Sequence, residues 1–157
     1  MTERTDPAAT TDPDLRPIVV GVDGSEESRR ALAWALDAAR RRGVAVRAVH
    51  TWHYPTWLLG GGTDAAPGAP EEMEAAARGA LDRALADADT TGVEVDAIVV
   101  QADPAVVLVD EAAGAAMVVI GRRGMGGVRR LLLGSVSSVV LHDAPCPVVV
   151  LPPEVQP

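Results

Sequence analysis

Lysine is missing altogether: all fourteen basic residues of the 157-residue chain are arginine. That excludes a Walker A loop, whose ammonium group reaches the β- and γ-phosphates, and it excludes Schiff-base chemistry. Cysteine occurs once, as Cys146, so there is no internal disulfide and no cysteine-cluster metal site. Basic charge is scarce beside 22 acidic residues, and a formal net charge of −8 argues against nucleic acid as a partner. No apolar run approaches the roughly 18–20 residues that span a bilayer, so no membrane association is expected. The opening MTERTDPAATTDPDLRP has no apolar leader segment. Residues 1–16 read as a disordered, solvated tail, and a cytoplasmic protein is expected.

What remains is a chain that is 48% hydrophobic, with one domain expected over residues 17–153. Pro17 to Val22 is a short apolar run rich in β-branched residues and reads as a strand. Ser25 follows as an N-cap, with Glu26 and Glu27 in the first turn, where acids favour the helix dipole. Leu32, Ala35, Leu36 and Ala39 recur at helical spacing, and Arg40-Arg41-Arg42-Gly43 closes the helix. Val44 to His50 reads as strand two. Thr51 to Pro70 reads as an irregular loop, and Glu71 to Thr90 as helix two. Val93 to Val100 is strand three, and Asp103-Pro104 caps a third helix reaching about Gly114. Met117 to Ile120 centres strand four, Ser135 starts helix four to about Asp143, and Pro147 to Leu151 is strand five. This β-α alternation predicts an α/β fold, a doubly wound parallel sheet with helices on both faces.

In such sheets a ligand sits at the carboxyl ends of the strands, where the strand order reverses. Two exits look unlike ordinary connections: Gly21-Val22-Asp23-Gly24-Ser25 after strand one, and GRRGMGGVRRLLLGS, Gly121 to Ser135, after strand four. Each leads to a serine at a helix start, where unpaired amides and the dipole favour an anion. Gly121, Gly124 and Gly134 let the backbone pass close to a ligand without a Cβ. Ser135 adds a hydroxyl, and Val136 and Ser137 add amides. The set suits phosphate oxygens without lysine. Arg122, Arg123, Arg129 and Arg130 offer further positive charge. Asp23 suits ribose hydroxyls or a phosphate-bound Mg²⁺. Plainer readings stand beside these. The glycines also serve tight turns, Ser25 and Ser135 also serve as caps, Asp23 also closes a turn, and Arg129 and Arg130 read as solvated charge.

Gly121-x2-Gly124-x9-Gly134-Ser135 resembles the adenine-nucleotide motif of the universal stress protein family, and the likeness extends over roughly Pro17 to Leu151. It includes VVGVDGS, the AVH ending strand two, and PCPVVVL. The resemblance implies a five-stranded sheet of order 3-2-1-4-5, ATP in the crevice and a homodimer. Strand five, Pro147 to Leu151, is then an apolar edge without charge, and a second copy is the expected cover. By the family pattern Asp23 meets the ribose, and backbone near Gly21 and Thr51 meets adenine. Gly124, Gly134 and Ser135 meet the phosphates. Val22 and Ile120, at the ends of strands one and four, and Arg123 complete the candidate set.

The function expected is that of a regulatory stress-response protein that binds ATP, with Mg²⁺, and acts as a dimer. No dedicated hydrolytic apparatus is legible, so no catalytic residue is assigned. A slow ATPase and a nucleotide-free dimerisation module are the alternatives. VDGSEES after strand one differs from the S-G-G-x-D-S loop of ATP-pyrophosphatases, which argues against adenylation. His50 and His53 lack a carboxylate or cysteine partner in sequence and read as structural, so no metal ligands are assigned. Cys146, between two prolines, reads as a small packed residue.

Overall fold

The computed structural model describes residues 15–53, 70–125 and 133–152. Nine elements alternate: β1 (Ile18–Gly21), α1 (Glu26–Arg42), β2 (Val46–Trp52), α2 (Pro70–Ala86), β3 (Val95–Gln101), α3 (Pro104–Ala112), β4 (Met117–Gly121), α4 (Ser135–Asp143) and β5 (Val148–Leu151). All strand pairings are parallel and the order is β3-β2-β1-β4-β5, as expected. The order reverses between β1 and β4, which are hydrogen-bonded neighbours in register from Ile18↔Met117 to Val20↔Val119. Gly21 and Ile120 therefore leave the sheet at the same level.

The period-two alternation of β1 divides its side chains between two apolar layers. Ile18 and Val20 pack beneath α1 and α2, with Leu32, Leu36 and Leu81. Val19 faces the other way, with Leu108 of α3 and Val140 of α4. Ile18, Val19 and Val20 are wholly buried. A central strand covered on both faces must be apolar at every position, which is why β1 and β4 read as unbroken runs rather than alternating ones.

Helix ends follow local chemistry. The Ser25 hydroxyl accepts the Ser28 amide at 3.1 Å, and α1 ends at Gly43 in the left-handed region, φ 67°. Asp103 Oδ1 accepts the amides of Ala105 and Val106 at 2.9 and 3.2 Å, ahead of Pro104 at the first helical position.

Several sequence-read boundaries shift. β2 runs from Val46 to Trp52, so Thr51 and Trp52 are strand residues rather than loop; pairing with β3 carries the strand on through Thr51↔Val100 and Trp52↔Gln101. Pro70 opens α2, which stops at Ala86 rather than Thr90. The chain turns there through Asp89, whose Oδ1 accepts the Thr91 amide at 3.1 Å, and through Gly92 at φ 73°. β3 spans Val95 to Gln101, and α3 closes at Ala112. Residues 54–69 of the Thr51–Pro70 loop, residues 1–14 of the tail, Pro153, Arg129 and Arg130 lie outside the described residues.

Candidate functional site

A cavity of about 750 Å³ opens at the carboxyl ends of β1 and β4. Its floor is Val22, Val49, Leu108 and Ile120, and one wall is the first turn of α4. All twelve residues of the candidate set line it: Gly21, Val22, Asp23, Thr51, Ile120 and Gly121 from the strand ends, and Arg123, Gly124, Gly134, Ser135, Val136 and Ser137 from the β4 exit and α4; Arg122, also offered as charge, does not. The adjacency of β1 and β4 brings together segments about a hundred positions apart in the chain.

The α4 end is built to stay open. Its N-cap is Gly134, φ −76° and ψ 166°, which has no side chain to cap the helix; Ser135 is already helical. The first amide with a partner inside the helix turn is that of Ser138, donating to the Gly134 carbonyl at 3.0 Å. Ser135, Val136 and Ser137 thus place their amides in the turn where a helix has no i−4 acceptor of its own. A Cβ at Gly134 would meet nothing closer than 3.5 Å.

The other motif glycines also line the cavity, and they face protein neighbours as well. Neither Gly121 nor Gly124 has a positive φ. At Gly121 a Cβ would fall 2.8 Å from the Cβ of Glu27 and 3.1 Å from its carbonyl carbon. At Gly124 it would collide with the Asp23 carboxylate. Their missing side chains let the β4 exit lie directly against the β1 exit and α1, protein against protein.

Two carboxylates bind that junction. Asp23 Oδ2 accepts the Met125 amide at 2.9 Å, and Oδ1 accepts the Ser25 amide at 2.9 Å. Burial alone would raise the Asp23 carboxyl; hydrogen bonds from Ser25, Met125 and Ser28 outweigh it and hold its pKa below the ordinary value. Glu27 Oε2 accepts the Arg123 amide at 2.6 Å, and Oε1 lies 3.6 Å from the Arg123 guanidinium. The sequence offered Glu27 only as a first-turn acid; its pairing across ninety-six positions carries no local signal.

The remaining contacts hold the frame. The Ser137 hydroxyl is buried and hydrogen-bonds the carbonyls of Gly121 and Arg122 at 3.0 and 2.9 Å. Its side chain therefore shapes the β4 exit, and only its amide remains for a ligand. Val22 is likewise engaged through its backbone: its amide donates to the Val49 carbonyl at 2.8 Å, and its carbonyl lies 2.6 Å from His50 Nδ1. His50 is structural in this sense. His53, just past β2 and read in the sequence as structural, lines the cavity; so do Ser28, Pro104, Met125 and Leu133, none of them among the sequence's site candidates. Among the described residues no group of three or more His, Cys, Asp or Glu comes together. Cys146 is half-buried beside the β5 edge, and burial pushes its thiol pKa up.

Comparison with known proteins places this geometry among relatives. Residues 14–152 match the family model described as "Universal stress protein family". The chain is 41% identical over 148 residues to the universal stress protein Rv2005c of Mycobacterium tuberculosis, covering 92% of this chain and 48% of that one. It thus spans about half the length of the curated relatives it matches. Among solved structures, a universal stress protein from Archaeoglobus fulgidus is 30% identical, with a TM-score of 0.64 over 87% of this chain and 93% of that one. A universal stress protein from the same organism, described as a complex with dAMP, is 26% identical, with a TM-score of 0.53 over 87% of this chain and 97% of that one.

Proposed function

Since the chain belongs to the universal stress protein family, we propose that its cavity binds an adenine nucleotide, ATP with Mg²⁺, and that the protein works by holding this ligand rather than by consuming it. The observation that carries the reading is the convergence of all twelve candidate residues on one cavity. At about 750 Å³ it lies within the range of small-molecule pockets, roughly 300–1,000 Å³. The first-turn amides of α4 and the Ser135 hydroxyl receive the phosphates, where the helix dipole favours negative charge. Gly134 lines the cavity at that helix start and brings no side chain to it. The backbone at Gly21 and Thr51 reads the adenine edge, and Asp23 at the mouth takes the ribose. The dAMP complex of the Archaeoglobus fulgidus relative supports the ligand class.

The protein acts as a regulator in the cytoplasm and as a homodimer. β5 is an edge strand with Val148 to Val150 apolar, and the same strand of a second copy covers it. A single domain between about residues 17 and 153 belongs to the same reading.

Calorimetry on the purified protein tests the ligand. Ser135→Ala removes one hydrogen bond to a charged phosphate, about 1.5–3 kcal/mol or roughly ten- to a hundredfold in ATP affinity. Unaltered affinity would remove the phosphate role assigned to Ser135. Mass spectrometry of gently purified protein distinguishes the alternatives: retained ATP supports the binding reading, turnover to ADP supports a slow ATPase, and an empty protein that ATP does not bind supports a dimerisation module.

A further inference from the structure

The β4 exit holds most of its own donors close. The Arg122 amide donates to the Leu151 carbonyl at 2.9 Å, the Arg123 amide to Glu27 and the Met125 amide to Asp23. Two of these three acceptors are carboxylates, which occupy the amides an anion would otherwise attract. The guanidinium is treated the same way. Arg123 is the one arginine among the described residues lining the cavity, and it faces Glu27 across 3.6 Å with side chains only 17% and 13% exposed. Glu27 is itself fixed: it sits in the first turn of α1, and its Cβ fills the space that Gly121 leaves. Its carboxylate is held in turn by the Arg123 amide at 2.6 Å.

Among the described residues that line the cavity, the side-chain charges therefore do not favour a polyanion. Asp23 contributes one negative charge at the mouth, and the positive charge of Arg123 is matched by Glu27. We propose that Glu27 is a positioning residue that sets how much phosphate charge the site accepts: by holding Arg123 against α1, it keeps the guanidinium from the phosphates, so Arg123 adds nothing to the binding of further phosphates. The inference rests on the nucleotide reading above. It also gives Mg²⁺ a role in the proposed ATP binding, since a divalent cation would supply the positive charge that Arg123 does not.

Calorimetry with adenosine, AMP, ADP and ATP in the absence of divalent cations tests it on the full chain. In the wild type, ATP binds no more tightly than AMP. Glu27→Gln keeps an oxygen for the Arg123 amide and removes the charge. It should leave adenosine within about twofold and tighten ATP about tenfold, and the gain should shrink at high salt. The double variant Glu27→Gln, Arg123→Ala should lose that gain. A purely structural role would move all four ligands together. Wild-type ATP binding more than tenfold tighter than AMP overturns the inference even where the variant fails to fold. So does a Glu27→Gln series parallel to the wild type, and either result leaves the nucleotide reading standing. Failure of the wild type to bind any of the four, with or without Mg²⁺, overturns the nucleotide reading and this inference with it.

Discussion

Two glycines of one motif should respond in opposite ways to the same substitution. Gly121→Ala places a Cβ 2.8 Å from the Cβ of Glu27 and 3.1 Å from its carbonyl carbon, and the second is backbone of a packed helix. Neither contact relaxes by a rotamer change, so α1 or β4 must shift. Overpacking of this kind costs about 1–3 kcal/mol. Against it stands the entropy that alanine removes from the unfolded chain, about 0.4–1 kcal/mol. The net is a destabilisation of about 1–2 kcal/mol, a fall in Tm of about 2–8 °C for a chain of this length. Gly134→Ala meets nothing closer than 3.5 Å at a φ of −76°. There the entropy gain is offset by the loss of glycine's advantage over alanine as an N-cap, about 1 kcal/mol at most, so stability should change by less than about 1 kcal/mol. Its cost should appear instead in nucleotide affinity, because Gly134 lines the cavity at the start of α4. Thermal and urea unfolding of the two variants measure the difference. Equal stability losses would refute the argument that Gly121 answers to Glu27 and Gly134 to a ligand.

The Asp23 carboxyl titrates below its ordinary value of 3.8, so its contribution to stability is present above that pH and is lost as pH falls through the lower folded value. Asp23→Asn should therefore lower Tm at neutral pH, and the gap to wild type should narrow below about pH 4; melting curves that stay parallel down to pH 2 would refute the role of the Ser25 and Met125 amides. The dimer is best tested at Val150. The carbonyls of Pro147 and Leu151 accept β4 amides, and strand alternation then turns the amides of Val148 and Val150 to the open edge. Val150→Pro removes one edge donor without touching the β4 ladder and should give monomers by sedimentation, with the helical circular dichroism retained. A monomeric wild type at micromolar concentration would refute the β5 interface. A charge at Val149 is a poorer probe, because that side chain packs against the α1 layer.

The fold was legible because its cues are local. Apolar runs such as Ile18 to Gly21 and Met117 to Gly121 mark strands buried on two faces, and Ser25, Gly43 and Asp103 mark helix ends by capping chemistry that depends on near neighbours alone. Where the sequence reading slipped, the deciding contact came from elsewhere in the chain. Thr51 and Trp52 carry the composition of a loop beside Tyr54-Pro55, yet they pair with Val100 and Gln101. No residue near Trp52 announces that partner. α2 stops four residues short because Asp89 and Gly92 form a turn that its apolar spacing does not reveal.

The site divides along the same line. The spacing of Gly121, Gly124, Gly134 and Ser135 was visible as positions where a Cβ is unwelcome, but a glycine does not say what approaches it. At Gly134 a Cβ would meet only ordinary contacts, at 3.5 Å or more, while at Gly121 and Gly124 its place is filled by Glu27 and Asp23. Those two acids flank the serine cap of α1 and read as ordinary residues of a helix start. Only the reversal of strand order, which sets β1 beside β4, turns them toward the Arg123 and Met125 amides. One motif thus does two jobs. Its first half joins the two strand exits through carboxylates, and its second half leaves a helix end open. The charge that the first half brings to the junction sets the terms on which the second half can hold an anion.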